Sequence, residues 1–118
     1  MNYFNIKAVN FDIKWKDPKA NFLSLENILS NEHADLFLLP EMFSTGFCME
    51  AEEIADENEQ TLNWMKSLAH RKNAAICGSV SIKENGSYFN RMFFVTPNGN
   101  VDYYDKRHLF SYSGEDEI

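Results

Sequence analysis

Apolar positions along this chain change period several times, and each change marks an element. From Phe4 to Trp15 they alternate loosely, with Phe4, Ile6 and Ala8 on one face and Val9, Phe11 and Ile13 following after a slip, which predicts a strand. Asp17-Pro18 then supplies an N-cap and a proline at the first helical position. Phe22, Leu25 and Ile28/Leu29 recur at helical spacing, so one stripe of that helix faces a core. Leu36 to Leu39 is a short continuous apolar run, the pattern of a strand covered on both faces. Strand, helix, strand in that order implies a right-handed parallel unit.

Further on, Glu50 to Glu59 is dense in acid and reads as a solvated loop leading into a helix whose N-terminus favours negative charge. That helix carries Leu62, Met65, Leu68 and Ala69 on one side, and Ala74 to Ile82 reads as a third strand. Asn85-Gly86 and Pro97-Asn98-Gly99 are turn signals, with Tyr88 to Val95 and Asn100 to Tyr104 as antiparallel partners around them. No internal repeat or low-complexity segment interrupts the series. The fold class is α/β: a parallel core extended by hairpins, with helices packed against the sheet.

Composition narrows the function. At 118 residues the chain is at most one domain, and 44% hydrophobic with 25% charged residues is a globular rather than a disordered composition. A net charge of -7 with only 11 Lys and Arg argues against nucleic acid and against an anionic membrane surface. No apolar stretch approaches the roughly 18 residues that span a bilayer. Met1 to Lys7 lacks a basic segment followed by an apolar one, so no signal peptide is visible. Cys48 and Cys77 lie in mostly apolar surroundings without metal-ligand spacing, as in a reduced, cytoplasmic protein.

Two residues carry candidate chemistry. Glu41, in Leu38-Leu39-Pro40-Glu41-Met42-Phe43, follows the second strand, and Lys106, in Tyr104-Asp105-Lys106-Arg107-His108, follows the last. Ligands of α/β sheets sit beyond the carboxyl ends of the strands, so both side chains are placed to reach one cleft. Met42, Phe43 and Phe47 predict a desolvated Glu41, with its pKa raised towards the range of a general base. Mutual attraction between Glu41 and Lys106 would keep both charged in a water-poor cleft. Each also has a plainer reading: a Glu after a strand often caps a helix, and Lys106-Arg107-His108 is compatible with a solvated basic patch. His108 has no second His or Cys at ligand spacing, so no metal site is expected.

Taken together, Leu38-Leu39-Pro40-Glu41-Met42-Phe43 and Asp105-Lys106-Arg107-His108-Leu109-Phe110, with Gly78-Ser79-Val80 and the hairpin from Asn90 to Gly99 between them, resemble the carbon–nitrogen hydrolase (nitrilase) superfamily. The likeness is nearest to its ω-amidase-like bacterial branch and runs through essentially the whole chain. It implies the N-terminal part of an αββα sandwich. It also implies Glu41 as general base, Lys106 as the stabiliser of a tetrahedral oxyanion, and Glu115 as a second glutamate that helps position substrate and lysine. Phe43 is the one substrate-pocket candidate.

The resemblance further implies a small amide as substrate, no cofactor, no metal, and assembly as a homodimer or higher oligomer. In that family the nucleophilic cysteine ends a later strand, which here lies past Ile118. Cys48 and Cys77 both read as small buried hydrophobes and do not replace it. Residues 1–118 are accordingly expected to be the N-terminal part of a longer hydrolase domain and to be inactive by themselves. The alternative is a catalytically inactive module that binds a small carboxylate or a partner subunit.

Overall fold

The computed structural model describes residues 3–46, 54–56 and 59–106. Their elements are strand β1 (Ile6–Ala8), helix α1 (Pro18–Leu29), strand β2 (Leu36–Leu38), helix α2 (Gln60–Lys72) and strands β3 (Ala75–Glu84), β4 (Ser87–Val95) and β5 (Val101–Asp105). The five strands form one mixed sheet in sequential order, β1-β2-β3-β4-β5. β1, β2 and β3 are parallel, and β3, β4 and β5 are antiparallel. The α/β class and the parallel core with hairpin extensions are as the sequence predicts.

Local chemistry accounts for the element ends. The Asp17 carboxylate accepts the Ala20 amide at 3.2 Å, with Pro18 opening α1. The α2 N-terminus is held from further away. Glu59, at its N-cap position, makes no side-chain cap, and the Asp56 carboxylate instead accepts both the amide and the hydroxyl of Thr61. Asn85 and Gly86 both take positive φ (53° and 81°), the turn geometry that matches the twist of a two-residue hairpin.

The first strand is shorter than its alternation predicts. After Val9, whose amide still bonds to the Leu38 carbonyl at 2.8 Å, the backbone leaves the sheet, and Lys14 exchanges its amide and carbonyl with the side chain of Asn21 rather than with a strand. Asn21 is fully buried and also donates to the Ser44 carbonyl at 2.7 Å, so one amide pins this segment and the loop after β2 to α1. The slip at Ala8–Val9 is thus the strand's end.

Helices α1 and α2 bury Phe22, Leu25, Leu29, Leu62, Met65, Leu68 and Ala69 against the sheet face that carries Phe37, Ile76, Val80, Phe93 and Val95. Phe22 stacks on Trp64 at 4.6 Å between ring centroids, joining the two helices. Ile28 points outward, leaving Leu29 as the inward member of that pair. The opposite face of the sheet is apolar but open: Ile6, Leu38, Phe94 and Tyr104 share it and are all exposed. Among the described residues only the Phe37 side of β2 meets the helices, while on the other side Leu36 is buried and Leu38 is exposed.

Candidate active site

Past Leu38, the Leu39 amide still bonds to the Cys77 carbonyl, so the chain runs beside β3 for one more residue before Pro40 turns it away. Glu41 follows at that turn. Met42 is fully buried at a φ of 54°, a left-handed conformation that a non-glycine side chain adopts only when held. Its amide donates to Ser79 Oγ at 3.0 Å, and its carbonyl accepts the Gly46 amide at 2.7 Å. The loop that presents Glu41 is therefore fixed at both ends of the next peptide unit.

Lys106 arrives from the other edge of the sheet. Its amide extends the β4–β5 ladder by one bond, to the Asn90 carbonyl at 3.0 Å. Lys106 thereby falls opposite Asn90 and on the same sheet face. The preceding residue, Asp105, is gripped by Arg91 through two bonds of 2.7 and 3.0 Å, which anchors the strand end on the other face. Arg91 also reaches Glu84 at 2.9 Å and lies 4.2 Å from the centroid of the Tyr103 ring. These contacts raise the guanidinium pKa above its ordinary value, chiefly through the hydrogen bond to Asp105.

The two sequence candidates meet. Lys106 Nζ lies 2.5 Å from Glu41 Oε2, across 65 positions of sequence. The same oxygen accepts Asn90 Nδ2 at 2.8 Å. With both donors on Oε2, Oε1 has no hydrogen-bond donor among the described residues and remains available as an acceptor. The Glu41 pKa is lowered, first by the hydrogen bond from Lys106; partial burial opposes this, and Asn90 adds to the lowering. The expected upward shift is thus corrected. The side chains of Glu41 and Lys106 retain 49% and 38% exposure, so desolvation is too weak to outweigh a direct cationic partner. Among the described residues the pair is half-exposed.

Phe43 borders none of the cavities described among these residues. It is fully buried, with its ring against Gly78 and 5.7 Å from the Trp64 centroid, and it belongs to the core. Cys77 is half-buried, its sulfur 3.4 Å from Met92 Sδ, and burial pushes its thiol pKa up. That is the behaviour of an inert packing residue. Arg107, His108, Glu115 and Cys48 lie outside the described residues. A cavity of about 420 Å³ opens on the helix-bearing face of the sheet, among Arg91, Glu84, Phe93 and Tyr103, and neither Glu41 nor Lys106 borders it.

Sequence reasoning missed Asn90 and Ser79. Both stand on the open face of the sheet, where they are nonetheless fully buried. A legible signal existed: Tyr88, Asn90, Met92 and Phe94 alternate on one side of β4, and an asparagine is poorly suited to such a position unless its amide has a partner.

Known proteins share the sequence pattern and the fold. Residues 5–117 match the carbon-nitrogen hydrolase family model. An omega-amidase (YafV) of Yersinia enterocolitica is 34% identical over 116 residues, 98% of this chain and 45% of that protein. A 2-oxoglutaramate amidase of Bacillus subtilis is 31% identical over 118 residues, 95% of this chain and 46% of that protein. The crystal structure of a carbon-nitrogen hydrolase superfamily protein from Xanthomonas campestris superposes with a TM-score of 0.88 at 37% identity, covering 99% of this chain and 45% of that one. The chain spans less than half the length of these relatives. A match along almost its whole length, together with a fold shared with a solved member, makes it a member of the carbon–nitrogen hydrolase family.

Proposed function

We propose that this chain is the N-terminal part of an ω-amidase that releases ammonia from small ω-amides of 2-oxo dicarboxylic acids. The observation that carries the reading is the contact of Glu41 with Lys106, a carboxylate and an ammonium delivered to one point from the ends of two strands. Relatives named omega-amidase and 2-oxoglutaramate amidase support the choice of substrate class.

In this reading a cysteine supplied from outside the 118 residues attacks the amide carbon, and Glu41 takes the thiol proton. The carbonyl oxygen becomes an oxyanion, which the Lys106 ammonium stabilises. As the tetrahedral intermediate collapses, the carbon–nitrogen bond breaks and Glu41 returns the proton to the departing ammonia. Water, deprotonated by the same carboxylate, then cleaves the thioester to give the free acid and the thiol. Pairing with Lys106 keeps Glu41 ionised and so ready to accept the first proton. Glu115 serves as the second glutamate, positioning substrate and lysine. A cytoplasmic location and a homodimer or higher oligomer belong to the same proposal, on the strength of the family resemblance.

The test is ammonia release from 2-oxoglutaramate by the product of the complete reading frame that encodes these residues. Glu41→Gln is expected to abolish turnover, and Lys106→Met to lower kcat by about 10²–10³, the usual cost of removing an oxyanion donor. Residues 1–118 alone are expected to release none. Unchanged turnover in either variant would refute the assignment.

A further inference from the structure

Asn90 is the residue through which both members of the ion pair are tied to the sheet. Its side-chain nitrogen donates to Glu41 Oε2 at 2.8 Å, while its main-chain carbonyl accepts the Lys106 amide at 3.0 Å. It is 1% exposed, in the middle of a strand paired on both sides, so it has little freedom to move. Its orientation is chemically determined. The opposite rotamer of the amide would set an oxygen against a carboxylate oxygen, two acceptors face to face. Presenting the nitrogen to Glu41 leaves Asn90 Oδ1 buried without a hydrogen-bond donor among the described residues, and the same holds for Ser81 Oγ, directly across the β3–β4 ladder. Most buried side-chain polar atoms have a partner, and here the nitrogen is the end of the amide that has one, on the carboxylate.

We infer that Asn90 is a positioning residue for the reaction proposed above: its amide fixes which oxygen of Glu41 receives Lys106 and which oxygen faces the thiol. With Oε2 occupied by Asn90 and Lys106, Oε1 is the oxygen left to take and return the proton. The main-chain bond to Lys106 fixes the backbone from which the ammonium reaches that carboxylate, so one residue ties both the base and the strand carrying the oxyanion donor to the sheet. Asn90 acts through Glu41 and Lys106, the two residues it holds.

The inference rests on the ω-amidase reading for its kinetic consequence but not for its geometry, and the experiment separates the two. In the protein from the complete reading frame, the Glu41 carboxyl is titrated by ¹³C NMR in the unmodified form, in Asn90→Leu and in Asn90→Asp. Removing the donor raises the Glu41 midpoint in Asn90→Leu. Asn90→Asp, which puts a second carboxylate against Glu41, raises it further. With 2-oxoglutaramate, kcat falls by about 10²-fold, the scale of a misplaced reacting group, while KM changes little, and the acidic limb of the pH profile moves up with the NMR midpoint. An unmoved Glu41 midpoint and an unmoved acidic limb would overturn the inference, whatever the loss of activity. If neither variant folds, the unmodified protein still decides it. The Asn90 side-chain NH₂ resonances should shift with pH at the Glu41 midpoint, and their failure to do so overturns the proposal. A protein that hydrolyses no amide sinks the ω-amidase reading alone, since the titrations stand without it.

Discussion

Replacing Gly78 with alanine probes how tightly the loop carrying Glu41 is seated. A Cβ at that position would lie 2.8 Å from Phe43 Cε1, 2.9 Å from Phe43 Cδ1 and 3.2 Å from Leu39 Cβ. Carbon atoms sit at about 3.5–4.0 Å in ordinary contact, so the ring must retreat by roughly 0.7 Å or more. It has no room to do so, because Phe43 is fully buried with Trp64 close by. Overpacking of this kind costs about 1–3 kcal/mol. Alanine in a strand also reduces the freedom of the unfolded chain, which returns about 0.4–1 kcal/mol. The middles of these ranges leave a net loss of about 1.3 kcal/mol, or a drop in Tm of roughly 3–10 °C depending on the length of the cooperative unit. Thermal unfolding followed by circular dichroism and Trp fluorescence measures it. Shortening the clashing ring should recover stability, so Phe43→Leu in the Gly78→Ala background should cost less than the two changes summed, by about 1 kcal/mol. A Tm for Gly78→Ala at or above that of the parent would show that the close packing of Phe43 on β3 is not what seats this loop.

Other expectations follow from the ion pairs and the thiol. Glu41→Gln should cost at most about 1 kcal/mol at neutral pH, because the pair with Lys106 is half-exposed. Since the folded Glu41 pKa lies below its ordinary 4.5, that contribution is present above 4.5 and fades as pH falls through the lowered value. Urea melts of both proteins from pH 7 to 3 should therefore converge at the acid end; a gap that widens there contradicts the sign. Asp105→Ala leaves the buried Arg91 with only Glu84, and should cost about 2–3 kcal/mol by the same melts. A loss under about 0.5 kcal/mol would mean that the guanidinium finds solvent. Cys77 should react slowly with iodoacetamide at neutral pH in the folded protein, since burial raises its pKa. Mass mapping of early modification at Cys77 would contradict this.

Much of the fold was legible because its signals are local. The Asp17-Pro18 cap, the Asn85-Gly86 turn and the stripe of Leu62, Met65, Leu68 and Ala69 each act within a few residues, and each appears where its pattern predicts. The extent of β1 was not legible, because the partner that replaces its ladder is the side chain of Asn21, one amide on another element. The meeting of Glu41 and Lys106 could be anticipated from two strand ends and a paired motif. Their electrostatics could not, since apolar neighbours in sequence suggested burial where the structure leaves the carboxylate half-exposed. Phe43 was misread for a related reason. Being two residues from Glu41 in sequence does not place a side chain on the same side of the loop, and this one turns into the core.

The route by which the pair is assembled has a kinetic consequence. Asn90 and Lys106 belong to a run of antiparallel strands joined by short turns, whose contacts are close in sequence, and such hairpins form in about 1–10 μs. Glu41 comes instead from the parallel side, and it reaches its place only when β2 docks on β3 with helix α2 in the intervening chain. Loop closure of that length must be paid before any contact rewards it, so this docking is the slower event. The cation and its amide neighbour should thus be in place before the carboxylate arrives. The Glu41–Lys106 contact then forms after the hairpins, and a probe on that pair would report the docking of β2 rather than the collapse of the chain.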